Sequence, residues 1–273
     1  MSAHEAKRQR TQSVDYELLY HPQIPGRAEF IRLLFKASGV EFTDPANEDP
    51  PNESGLNGYA LVQAACSPRS LGDEEGNPPA FAPPALRHRQ AGKDGKSLVI
   101  HQTPTIMSYL GGRLGLAGES EIESVWINQI ALTALDMNNE CHDTHHPVAV
   151  SKYYEEQKQA ALEKSKDFRE TRMPKFFSYF ERVLKHNKDS GNGKYLVGSK
   201  LSYADTTLWQ LLDGLKFAFP EEMKARSPEF PLLFETFYPS LEEEAWLKTY
   251  LKSAERLPYS MGVFRHYPEL DRQ

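Results

Sequence analysis

The spacing of apolar positions divides the chain into a front part whose period keeps changing and a rear part that is helical throughout. Residues 16–20, Tyr-Glu-Leu-Leu-Tyr, carry β-favouring or apolar side chains at four of five positions and are closed by Pro22, which predicts a short buried strand. Pro25 then opens a segment in which Ala28, Ile31, Leu34 and Phe35 recur at helical spacing before a stop at Gly39. Residues 40–43 can form a second strand, and the resulting βαβ beginning favours parallel pairing of the two strands. From Asp44 to Pro79 the composition turns to Pro, Asn, Asp, Glu, Gly and Ser, with only Tyr59 to Ala65 periodic enough for a short helix, so an insertion that moves freely is expected there. Two apolar runs, FAPPALRHR and SLVIHQ, flank a Gly-containing turn and predict an antiparallel hairpin that completes a four-stranded sheet. Thr103, followed by Pro104, is the predicted cap of the next helix, and the first domain ends near Leu116.

Beyond Gly118 the pattern is helical in 119–141, 151–186 and 202–217, and no strand pattern returns. The fold class expected is therefore α/β followed by all-α. The organisation is a tail over 1–14, a first domain over 15–117 with its insertion at about 44–79, and a helical domain over 118–273.

Charge and cysteine content narrow the function classes. Thirty-two Lys and Arg against 38 Asp and Glu give a net charge of −6, without the basic field that draws a phosphate backbone, so nucleic acid is not an expected partner. The two cysteines, Cys66 and Cys141, lie far apart and outside any CxxC, which fits a reducing compartment without disulfides or structural zinc. No apolar run is long enough for a membrane span and the amino-terminal residues lack a signal-like core, so a cytoplasmic protein without membrane contact is expected. The basic residues Lys7, Arg8 and Arg10 read as a solvated tail.

Four segments in order, YELLYHPQIPGRAEFIRLL, APPAL, HQTPTIMSYL and GKYLVGSKLSYADTTLWQLL, resemble the cytosolic glutathione transferases. The likeness is to the tyrosine-type classes, which include sigma, pi, mu and alpha, with an enlarged loop after the second strand. It implies a thioredoxin-like domain of βαβ-α-ββα order that binds glutathione, and a helical domain that contributes the pocket for an apolar electrophile. No cofactor beyond the co-substrate glutathione is implied. A homodimer acting in detoxification is.

Residue by residue, the resemblance points to Tyr20 as the catalytic phenol. Its hydroxyl would donate to the glutathione sulfur and favour the thiolate, beside a helix start that attracts an anion. Tyr16, four positions earlier, is its rival within the same strand, and a tyrosine that merely ends a strand in the core is the bland alternative. Arg27 matches the arginine after the motif's glycine and would add positive potential near the thiolate or the glycyl carboxylate. Pro84 matches the family's cis-proline, which places the backbone of Pro83 against the cysteinyl part of glutathione. Pro83 has no N–H, so only its carbonyl can take part, and one of two usual main-chain bonds is missing. Gln102 and Thr103 match a Gln-Ser pair that holds the γ-glutamyl carboxylate at a helix start. Asp136 resembles the acid that reaches across a dimer to the γ-glutamyl ammonium, with a solvated helix carboxylate as the alternative.

The segment Cys141-His142-Asp143-Thr144-His145-His146 invites a metal reading, but adjacent histidines rarely converge on one ion without a distant ligand, and none is expected here. The resemblance instead puts His142, His145 and His146 at the polar edge of the second-substrate pocket. Ser202 to Asp205 form a capping box with a structural role at the start of a buried helix. Conjugation is the leading expectation. Glutathione-dependent peroxide reduction, ether or thioether cleavage, and a non-catalytic carrier remain open, and the natural electrophile depends on separate helices and on the segment after Leu257.

Overall fold

The computed structural model describes residues 14–48 and 58–273. Nearly all of the predicted tail, and residues 49–57 of the predicted insertion, lie outside the described residues.

The first strand, β1 (Tyr16–Leu19), is buried at all four positions. After a single 3-10 turn at Gly26–Ala28 the chain enters α1 (Glu29–Ser38), whose apolar face is Phe30, Ile31, Leu33, Leu34 and Phe35. Gly39 ends it in the left-handed region at φ 71°, the usual role of glycine just past a helix. A short helix, α2 (Gly58–Ala65), follows. The hairpin is present: β2 (Ala85–His88) pairs antiparallel with both β1 and β3 (Leu98–His101), giving the order β1-β2-β3.

The predicted strand at 40–43 contracts to one residue. Thr43 makes an isolated parallel bridge with Glu17, its amide donating to Tyr16 O at 2.9 Å and its carbonyl accepting from Leu18 N at 2.8 Å. The direction of pairing is the expected one, but the expected fourth strand is reduced to this contact. Val40 and Glu41 are exposed and have nothing to pack against, and Pro45 has no amide with which to continue a ladder.

The end of the predicted insertion also differs from expectation. Asn77 is buried, accepts from Val99 N at 2.9 Å and donates to Ser97 O at 3.1 Å, so it docks this stretch along β3. One side-chain amide can satisfy a donor and an acceptor at once, and this substitutes for the apolar residues the segment lacks.

Next come α3 (Thr103–Leu114), α4 (Glu121–Asp143), α5 (Lys158–Asp167) and α6 (Met173–His186), with α5 and α6 joined by a π-helical turn at Phe168–Arg172. A one-turn α7 (Lys188–Gly191) leads to α8 (Tyr203–Ala218), followed by α9 (Pro220–Arg226), α10 (Tyr238–Glu242) and α11 (Ala245–Leu251). Helix α8 is buried almost all round, as a helix at the centre of a bundle must be, and it packs on α4 and on α1. Its capping box is formed. The Asp205 carboxylate accepts from Ser202 N and Ser202 Oγ, both at 2.7 Å, and from Leu196 N at 2.8 Å. Past α11 the chain runs back across α8 as a strap, with Val263, Phe264 and Leu270 buried and Asp271 accepting from the Glu221 and Glu222 amides at the start of α9.

Candidate functional site

Tyr20 follows β1 directly, and its phenol points under the turn that starts the first helix. The Arg27 amide donates to Tyr20 Oη at 3.1 Å. Among the described residues nothing accepts the hydroxyl's own hydrogen, so the phenol is an acceptor toward the protein and a donor toward whatever lies outside. The approach is possible because of Gly26, which sits at φ 43° and at which a Cβ would stand 2.3 Å from Tyr20 Oη. Burial raises the Tyr20 pKa above the ordinary 10.0, while the Arg27 amide and the charges of Arg27 and Arg32 pull the other way. The phenol therefore keeps its proton at neutral pH. Tyr16, by contrast, lies tilted against His88 with centroids 4.3 Å apart and against Phe35 at 5.2 Å, buried in the core.

Pro83 and Pro84 precede β2 and Gln102 and Thr103 follow β3, and because Ala85 pairs with both Leu19 and His101 these residues lie at the same end of the sheet as Tyr20. The Pro83–Pro84 peptide is cis and directly precedes β2. Gln102 occupies φ 74°, ψ 113° between β3 and α3, a backbone conformation rarely taken by a residue other than glycine. Such a conformation, next to a helix start with free amides, is a common mark of a binding turn. The Thr-Pro sequence predicts Thr103 as the cap of this helix. Thr103 is instead the first helical residue, Gln102 holds the cap position, and no side chain caps the turn. Proline as the second helical residue costs no hydrogen bond, so the helix tolerates this start and leaves its first amides to a ligand. Asp136 is exposed on α4.

The three histidines are brought together at the end of α4: ring centroids are 5.1 Å apart for His142–His145, 5.1 Å for His142–His146 and 4.8 Å for His145–His146. They are not equivalent. His145 is buried, its Nε2 lies 2.9 Å from Val263 O on the strap, and burial lowers its pKa to about 3, so it stays neutral and serves as an anchor for the strap rather than as an open donor. His142 pairs with Asp143 through Nδ1 at 3.2 Å, and burial together with the nearby charges of Arg27 and Arg265 outweighs Asp143 to lower its pKa. Among the described residues no group of three or more His, Cys, Asp or Glu side chains is arranged to hold a metal ion.

What the sequence missed is the strap. Gly262 passes over the Gly26 turn so closely that a Cβ on it would stand 3.9 Å from Gly26 Cα and 3.2 Å from Ile24 Cγ2. Arg256 fixes the strap's near end: it donates to Gln210 Oε1 at 2.9 Å, to Asp213 Oδ2 at 2.7 Å and to Glu29, the first residue of α1. A cavity of about 620 Å³ lies behind the Tyr20 turn, lined by Gln23, Arg32, Lys36, Asp44, Asn47 and Tyr250 among others, and does not include Tyr20. No helix among the described residues is long and apolar enough to cross a membrane.

Comparison with known proteins bears on the family and the fold. Residues 142–254 match the family model described as glutathione S-transferase, C-terminal domain. The chain is 32% identical to glutathione S-transferase P 2 of Bufo bufo, over 88% of this chain and 94% of that one. It is 28% identical to a glutathione S-transferase of Plasmodium falciparum (isolate 3D7), over 80% of this chain and 87% of that one. Among solved structures, the pi-class glutathione S-transferase of Onchocerca volvulus shares the fold at a TM-score of 0.61 and 23% identity, covering 90% of this chain and 97% of that one. The sigma-class enzyme of Fasciola hepatica does so at 0.61 and 22%, with the same coverage.

Proposed function

Because the chain belongs to the glutathione S-transferase family, we propose that it conjugates the glutathione thiolate to a small electrophile with an apolar body, using Tyr20 to hold the sulfur. The carrying observation is the Tyr20 hydroxyl, which accepts from the Arg27 amide and keeps its own proton to give. A donor in that state stabilises a thiolate more than a thiol, because a hydrogen bond to an ionised acceptor is the stronger one. The bound thiol then ionises closer to neutral pH and attacks the electrophile.

Glutathione would lie with its γ-glutamyl carboxylate at the uncapped start of α3, at Gln102 and Thr103, and its cysteinyl backbone against the Pro83 carbonyl beside Pro84. Arg27 would contribute positive potential near the sulfur, and His142 and His146 would edge the second-substrate pocket over the buried His145. Asp136 would serve a second copy of the chain. Support for a homodimer comes from α4, where Ile122, Val125, Trp126 and Leu132 are exposed on the helix that also carries Asp136. The unpaired Cys66 and Cys141 suit the cytoplasm.

The test is product analysis with glutathione and 1-chloro-2,4-dinitrobenzene. A thioether product that requires Tyr20 supports conjugation. Oxidised glutathione from a hydroperoxide, without thioether formation from any electrophile tried, would move the protein to peroxide reduction.

A further inference from the structure

The loop that joins Tyr20 to the first helix makes few bonds of its own. Of residues 21–26, Pro22 and Pro25 have no amide, and Gln23 is the one whose amide finds an acceptor among the described residues. That acceptor is a side chain 24 residues away: Gln23 N donates to Asn47 Oδ1 at 2.8 Å. Gln23 sits at φ 59°, in the left-handed region that residues with a Cβ seldom occupy, and its side chain is exposed, so the bond to Asn47 is the contact that holds the conformation.

Two residues on, Pro25 O accepts from Arg32 Nη1 at 3.1 Å, and Arg32 is aligned by Asp44, whose Oδ2 accepts from Arg32 Nε at 2.8 Å. Asp44 stands just before a single 3-10 turn, Pro45–Asn47, and Asn47 ends it, with Asn47 N donating to Asp44 O at 2.8 Å. The turn is itself fixed from both sides. Thr43 bridges to β1 immediately before it, and Gly58 at the start of α2 packs so closely on it that a Cβ there would stand 1.9 Å from Ala46 Cα. One turn thus holds the loop at two points, Gln23 directly and Pro25 through Arg32. Gly26 and Arg27, which meet the Tyr20 phenol, come next in the chain.

The other end of the Asn47 amide, Nδ2, is buried and has no partner among the described residues. A buried donor left unpaired costs free energy, so the side chain is oriented by its carbonyl end. We propose that Asn47 is a positioning residue for the transfer reaction: by holding the Gln23 amide it keeps the loop in the conformation that sets the Gly26–Arg27 turn against the Tyr20 hydroxyl. It acts through the loop and not on the reacting atoms, and the proposal rests on the conjugation reading in which Tyr20 holds the sulfur. Without the bond, Gln23 relaxes toward negative φ and carries Gly26 with it. Small displacements of a group at the reacting centre are enough to slow a reaction.

The experiment follows conjugation of glutathione to 1-chloro-2,4-dinitrobenzene in Asn47 variants of the full chain, together with ultraviolet titration of the bound thiol. Asn47→Ala is expected to lower kcat by about three- to tenfold, the worth of one neutral hydrogen bond, while the KM for glutathione changes by less than about twofold. The pKa of the bound thiol should rise by about half a unit to one unit. Asn47→Asp keeps an acceptor oxygen in the same place and should retain most of the activity. Gln23→Pro attacks the same bond from the other side, because proline has no N–H and cannot adopt φ 59°. It should reproduce the loss, and it carries the test alone should Asn47→Ala fail to fold. The double variant should be no slower than the slower of the two single ones. A kcat and thiol pKa left at wild-type values in Asn47→Ala, even with a lowered melting temperature, or losses that add in the double variant, would overturn the assignment while leaving conjugation intact. A wild-type protein that forms no thioether, or a Tyr20→Phe protein of unchanged rate, would instead remove the reading on which it rests.

Discussion

Helix starts in this molecule are built in two opposite ways. At α8 every early polar group has a partner inside the protein: Asp205 accepts from the Ser202 amide and hydroxyl and from Leu196 N, and the whole box is buried. At α3 no side chain caps the first turn, and at the turn leading into α1 the Arg27 amide meets the Tyr20 hydroxyl, which keeps its own proton. Gly26 is held at positive φ under a phenol, and Gln102 sits in a rarely populated conformation. The closed start stabilises the bundle, and the open ones leave the first amides of α3 and the proton of the Tyr20 phenol for an anion from outside. The same local physics gives a structural joint in one place and a binding site in the other. What decides between them is whether the chain supplies its own acceptor.

The largest expected effect comes from the group that joins the two regions. Glu29, fully buried at the start of α1, accepts from Tyr250 and Arg256 and pairs with Arg32. Glu29→Gln leaves Arg256 and Arg32 short of a counter-charge, and a loss on the order of 3–5 kcal/mol in urea unfolding is expected. Burial alone would raise the Glu29 pKa, but Arg256 and Arg32 hold it below the ordinary 4.5. Its contribution is thus complete above about pH 4.5 and is lost as the pH falls through the lowered value. A Glu29→Gln protein whose stability matches the wild type at neutral pH would show that the open start needs no such anchor.

Tyr20→Phe removes the donor and leaves the turn. A fall in kcat/KM of roughly 10- to 100-fold is expected, corresponding to about 1.5–3 kcal/mol for a hydrogen bond to a charged acceptor. Thermal melting should barely move.

Asp205→Ala opens the closed start and is expected to destabilise the helical region by about 1 kcal/mol or more. Its pH dependence has the opposite sign to that of Glu29. Burial outweighs the bonds from Ser202 and Leu196 and raises the Asp205 pKa to about 6 from 3.8, so its contribution is full at low pH and shrinks as the pH rises through that interval. The penalty of Asp205→Ala should therefore be larger at pH 5 than at pH 7.5 in paired unfolding curves. The reverse trend would mean that the box binds the ionised acid more tightly than burial opposes it.

The smallest effect belongs to Thr103→Ala. Thr103 makes no cap bond, so stability should change by less than about 0.5 kcal/mol, while the KM for glutathione rises several-fold if its hydroxyl faces the γ-glutamyl carboxylate. A stability loss without a KM change would make the α3 start structural, like that of α8.

Much of this division can be read along the chain. Ser-x-x-Asp before an apolar run marks the closed start, and strand, proline and glycine in succession mark the open one, because both depend on neighbours in sequence. The hairpin through Ala85 and Leu98 and the helix at 58–65 are equally local. Thr43 is different: a strand was expected, but exposed Val40 and Glu41 on one side and Pro45 on the other restrict it to a bridge. Asn77 docks on β3 through bonds 20 and 22 residues away, which no window reveals. The strap was hidden for the same reason. Gly262 reaches Gly26 across most of the chain and Val263 reaches His145 across 118 residues, so the strap could be placed only in the segment after Leu257.

The account stands or falls on the ionisation state of the sulfur. In the complex of glutathione with the wild-type protein, titration of the thiolate's ultraviolet absorbance should give a thiol pKa one to two units below that of free glutathione, and Tyr20→Phe should return most of that shift. An unshifted thiol in the wild-type complex, or a shift that survives in Tyr20→Phe, would contradict it.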